Sequence, residues 1–165
     1  MDATIKNLSQ TLAFELEGIY DLVKLLQSDL SNAIKLIEDV ETRNVFNDYR
    51  RSLGDQRLKL KRIFGYLLNG PYGRKSGGTI ARWDEIGSHH MLPSLRDLLF
   101  STSLRQEIQH IINVYNDARF IAMRLDLDTV VQLIDEILDG EEAFALTLKR
   151  ISSTQVNQAC LLTTN

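Results

Sequence analysis

The sequence predicts an all-α chain: a four-helix bundle whose long connection between helices 2 and 3 contains a short helix. Three observations lead there. Apolar residues recur at alternating three- and four-residue spacings through most of the 165 residues, the pattern of helices that each bury one face. The only two prolines, Pro71 and Pro93, lie in or beside one central stretch and leave the rest free to be long helix. That stretch, residues 70–90, also holds five of the nine glycines and the single tryptophan.

The first helix is expected from about Ala3 to Ile37. Its ladder is Leu8, Leu12, Glu15, Ile19, Leu22, Leu26, Asp29, Ala33 and Leu36, and the small polar residues from Ser28 to Asn32 are candidates for a kink. Glu38, Asp39 and Glu41 suit the start of the second helix, because acids favour a helix N-terminus. Phe46, Tyr49, Leu53, Gln56, Leu60, Ile63 and Leu67 share one face of that helix, and Asn69-Gly70-Pro71 ends it.

The connection is too long for a tight turn. A short helix from Thr79 to Ile86 lays Trp83 on the bundle. A connection of this length lets helices 2 and 3 avoid being adjacent antiparallel neighbours, as crossover bundles require. The third helix starts after Pro93, with Ser94 as its expected cap, and carries Leu104, Ile108, Ile111, Tyr115, Ala118, Ala122 and Leu125. Asp126 to Asp128 form a turn. The fourth helix carries Val130, Ile134, Ile137, Glu141, Phe144, Leu148 and Ile151. Residues 1–152 are thus one bundle domain, and residues 153–165 read as a polar C-terminal tail with local order at most.

Superposing the four ladders gives a layer of polar rungs: Glu15, Gln56, Tyr115 and Glu141. A carboxylate facing a core is expensive unless it is paired, protonated or bound to metal. Two readings follow. In one, Glu15 and Glu141 pair with Gln56 and Tyr115 in a buried polar layer. In the other, Glu15, Glu107, His110 and Glu141 are metal ligands for iron or manganese. The one Glu-x-x-His, Glu107-Ile108-Gln109-His110, has the i, i+3 spacing that places both groups on one helix face. At about 100° per residue, however, His110 points away from the core seam and Glu107 lies at its border. His89 and His90 fall in the connection. Gly18 and Gly140 flank the layer and are expected to allow close helix approach.

No catalytic residue and no other cofactor site is expected, and the balance leans against an enzyme. The glycines of the connection lack the Lys-Ser/Thr of a phosphate loop, and Cys160 has no partner on its segment. The second helix has a basic run of Arg50, Arg51, Arg57, Lys59, Lys61 and Arg62; the fourth is acidic. Cross-helix pairing is one reading of these faces, and an anionic partner held by the second helix is the other. A net charge of -3 argues against a dedicated nucleic-acid binder. No apolar run reaches the roughly 18 residues needed to span a bilayer. The N-terminus has no basic region followed by an apolar one, and a single cysteine favours the cytoplasm.

Arg96-Asp97 ahead of the third helix, Tyr115 within it, the turn at Asp126, and Leu133-Ile134-Asp135-Glu136-Ile137-Leu138 followed by Glu141-Glu142 form a recognisable set. With the layout of the first half, this set resembles the ferritin-like superfamily over roughly residues 5–152. It is most similar to the YciE/YciF-type branch of stress-associated bacterial proteins. The resemblance implies a ferritin-like four-helix bundle, a homodimer, and a di-metal site between the helices, with oxidase- or peroxide-related chemistry where that site is intact. The ligand pattern transfers poorly. Family members carry Glu/His pairs on helices 2 and 3, whereas here helix 2 offers Arg51, Ser52, Gly54 and Asp55, and Val23 aligns with the first-helix ligand. The expectation is a bundle without an intact di-iron centre, serving a stress-associated or structural role.

Overall fold

In the computed structural model, residues 2–67 and 81–163 are described. Four long helices, α1 (Asp2–Ala33), α2 (Val40–Leu67), α4 (Pro93–Arg124) and α5 (Asp128–Thr163), surround the core, with a short α3 (Ala81–Ser88) against one end. No strand occurs among the described residues. The Asn69-Gly70-Pro71 stop, the glycines from Gly70 to Gly78 and Thr79 lie outside the described residues.

α1 packs on α2 and α4, and α5 packs on the same two, so α2 and α4 occupy diagonal corners. Polar contacts fix the directions. Asp97, in the second turn of α4, accepts the backbone N–H groups of Glu38 and Asp39 just beyond α1. Gln155, late in α5, donates to Thr42 at the start of α2. Thus α1 and α5 run one way, and α2 and α4 the other. This is the crossover arrangement that the long connection anticipates.

Asp97 organises this end of the bundle. It is 2 % exposed and holds the amides of Glu38 and Asp39 at 3.2 and 2.9 Å. Asp39 in turn caps α2 by accepting the N–H and hydroxyl of Thr42. Asp97→Ala removes the charged acceptor of two part-buried backbone N–H groups and is expected to cost about 2 kcal/mol in urea denaturation; a loss within error of zero would contradict the contact. Trp83 lies on the bundle as expected, 4 % exposed, with its indole N–H on Ser103 Oγ at 2.8 Å and its ring edge-on to Phe100.

The structure departs from the sequence-based expectations at four places. The buried seam of α1 is Leu12, Leu16, Ile19, Val23, Leu26, Leu30 and Ala33. Glu15 and Leu22 sit beside that seam, half-buried. α5 continues to Thr163, so residues 153–163 are helix rather than a loosely ordered tail; Gln155 is buried there because Thr42 offers it an acceptor. Ser94 does not cap α4: Leu92 is the cap residue, without a side-chain bond, and Pro93 takes the first helical position, where a missing N–H costs nothing. Gly18 and Gly140 do not permit close approach, since an added Cβ would meet nothing within 4 Å at either. The glycines that do are Gly54, where a Cβ would stand 3.3 Å from Gln27 Nε2, and Gly87, where it would stand 3.3 Å from Leu36 Cδ1.

The turn between α4 and α5 is a Schellman motif. Asp126 takes a left-handed φ of 54°. Leu127 N–H reaches Ala122 O and Asp126 N–H reaches Met123 O, satisfying the last carbonyls of α4.

Candidate functional site: a buried carboxylate layer

Three of the four residues expected in the polar layer meet in the core. Gln56, Tyr115 and Glu141 are 4 %, 0 % and 1 % exposed. Gln56 lies two turns after Tyr49 on the same face of α2, so the two side chains converge on the Glu141 carboxylate from either side. Tyr49 Oη donates to Glu141 Oε2 at 2.8 Å, and Gln56 Nε2 donates to Glu141 Oε1 at 2.9 Å. Phe144, one turn beyond Glu141, packs edge-on against the Tyr49 ring.

Tyr49 is the member that the sequence reading treated only as an apolar rung. Its hydroxyl was the available signal, because a buried tyrosine needs a partner for its O–H. Glu15, the fourth expected member, stays half-buried outside the seam.

Burial dominates the electrostatics. It pushes the Glu141 carboxyl up to about 7, against the opposing pull of the Tyr49 and Gln56 hydrogen bonds. Burial raises both tyrosines well above their ordinary value, and the Glu141 charge adds to this. Tyr115 Oη and Gln56 Oε1 are buried with no hydrogen-bond partner among the described residues. A crevice of about 140 Å³ between α2 and α5, lined by Gln56, Lys59, Glu136 and Glu141, leads toward this carboxylate.

Of the four candidate metal ligands, Glu141 is buried, and the Glu107 charge acts on the Tyr49 hydroxyl that Glu141 accepts from. Glu107 is half-buried at the edge of α4, and His110 is exposed. Among the described residues, no group of three or more His, Cys, Asp or Glu side chains stands together as a ligand set. A two-metal centre built from carboxylates and imidazoles needs several such groups converging. Here the central carboxylate accepts from a phenol and an amide. His89 and His90 are exposed beside α3. The basic face of α2 meets the acidic face of α5 at Lys59–Glu136; Arg119–Asp135 ties α4 to α5, and Arg150–Glu41 ties α5 to α2 with the charges the other way round.

The architecture has solved counterparts. The Escherichia coli stress protein YciF superposes with a TM-score of 0.78 at 14% identity, covering 91% of this chain and 97% of that one. The chain has a YciF-like fold. YcfI from Rhodopseudomonas palustris, provisionally assigned a structural role, gives 0.75 at 17% identity over 90% and 97% of the two chains. A protein from Xanthomonas campestris gives 0.73 at 15% identity over 96% and 99%. No family model matches the sequence, and no curated protein matches it significantly. The YciF-like fold at these identities carries the bundle geometry and nothing of its chemistry. No helix among the described residues is long and apolar enough to cross a membrane.

Proposed function

We propose that this chain is a ferritin-like bundle protein, cytoplasmic and homodimeric, with a stress-associated or structural role and no di-metal catalysis. In this reading the level that carries metal in such bundles has become a hydrogen-bonded polar layer. The observation that supports it is the commitment of Glu141: Tyr49 and Gln56 each occupy one of its oxygens. The solved proteins of similar fold are consistent with the role, since one is named a stress protein and another carries a provisional structural assignment.

The test is elemental analysis of protein purified from iron- and manganese-supplemented cultures, combined with melting curves in the presence of either ion. Metal well below one ion per chain and an unchanged melting temperature are expected. Stoichiometric iron that survives dialysis, lost on Glu141→Ala, would overturn the proposal.

A further inference from the structure

A groove between α1 and α2 lies outside the polar layer. Lys24, Gln27 and Ser31 line it from one face of α1, at i, i+3 and i+7. Arg50 and Arg57, seven residues apart, line it from the facing side of α2, with Arg51 at its edge. It is a groove open to solvent, of about 500 Å³. No acidic side chain lines it, although acids outnumber bases 22 to 19 in the chain.

Arg51, at the edge, pairs with Asp48 at 3.6 Å; Lys24, Arg50 and Arg57 are oriented but not neutralised. Arg50 Nη1 donates to Ser31 Oγ at 3.2 Å, and Arg57 Nη1 donates to Gln27 Oε1 at 3.0 Å. The Arg57 guanidinium and the Lys24 ammonium each stand 5.7 Å from the centre of the Tyr20 ring. Every one of these partners of Lys24, Arg50 and Arg57 is neutral. Arg57 Nε is buried with no hydrogen-bond acceptor among the described residues. Gly54 lets α1 approach closely enough for Gln27 to do its part, since a Cβ there would press on Gln27 Nε2. Gathering like charges around one concavity is unfavourable unless an anion enters it. Guanidinium forks match carboxylate and phosphoryl oxygens alike, but a phosphoryl group offers three oxygens and more charge to share among two guanidiniums and an ammonium.

We propose that this groove binds a phosphate-bearing small molecule, its phosphoryl oxygens received by Arg50 and Arg57 with Lys24 closing the charge. The ring of Tyr20 is already covered by cations, so recognition centres on the phosphoryl groups rather than on stacking. This goes beyond the role proposed above and stands independently of metal content.

The test is calorimetric titration of the full chain with inorganic pyrophosphate at low and at moderate salt. Saturable one-to-one binding that weakens with salt is expected. Lys24→Gln and Arg50→Gln should each weaken it by about tenfold or more, the scale of one lost charge-assisted hydrogen bond. Arg124→Gln, on the far end of α4, should leave it unchanged. Lys24 is exposed, so its variant tests the site without threatening the fold. Absence of saturable heat with the wild-type chain, or equal weakening by Arg124→Gln, would overturn the proposal.

Discussion

Val23→Asp is expected to abolish folding or to remove about 4 kcal/mol or more of stability, whereas Leu22→Asp costs roughly 1–2 kcal/mol. Val23 is fully buried in the seam, and its neighbour Leu22 is only half-buried. An aspartate at 23 would bring a charge into a core with no partner provided for it, and the chain would have to protonate it or open to water. At 22 the side chain can turn its carboxylate to solvent. Urea denaturation of both variants, followed by circular dichroism, checks the order. A larger loss at 22 than at 23 would mean that α1 is rotated from the orientation described above.

That comparison also shows why α1 was only partly legible. Two ladders run along it, sharing Leu12, Ile19, Leu26 and Ala33. One passes through Glu15 and Leu22, the other through Leu16 and Val23. From Leu12 to Leu26 the second is the buried one and carries no carboxylate; one turn further on both Leu30 and the expected rung Asp29 are buried, Asp29 being 5 % exposed. The expense of burying Glu15 was therefore evidence about helix phase rather than about a site. α2 was unambiguous by contrast: all seven of its expected rungs, Phe46 through Leu67, are buried. α4 and α5 followed closely, with Leu125 and Phe144 the half-buried members.

The end of α5 was illegible for a different reason. Its inward face there is Ser152 and Gln155, because it closes on Thr42 rather than on the oily core, and a hydrophobic ladder cannot report a polar contact between distant segments. The groove was half legible. The cations of α2 stood out in the sequence, but Lys24, Gln27 and Ser31 become its opposite wall only once the antiparallel register of α1 and α2 is known. Glu141 was found from its place on an otherwise apolar ladder. Its hydrogen-bond donor Tyr49 was not, because a tyrosine on a seam looks like any other large apolar rung.

Glu141→Gln is expected to stabilise the protein at alkaline pH and to flatten its pH dependence. The folded carboxyl titrates at about 7, against an ordinary value of 4.5. Between those values the folded state keeps a proton that the unfolded chain has released, so stability falls as pH rises through this window. The favourable contribution is intact below 4.5 and is lost above about 7. At about 1.4 kcal/mol per pH unit, the full loss is of order 3 kcal/mol. Glutamine keeps the shape and removes the charge. Its oxygen can accept from Tyr49, and Gln56 can turn its amide so that Oε1, unpartnered in the wild type, accepts from the new NH₂. At about pH 8 the variant should therefore melt several degrees higher than the wild type, with the two converging near pH 4.5. Melting curves across that range decide it, and parallel curves at every pH would show that Glu141 stays ionised in the folded core.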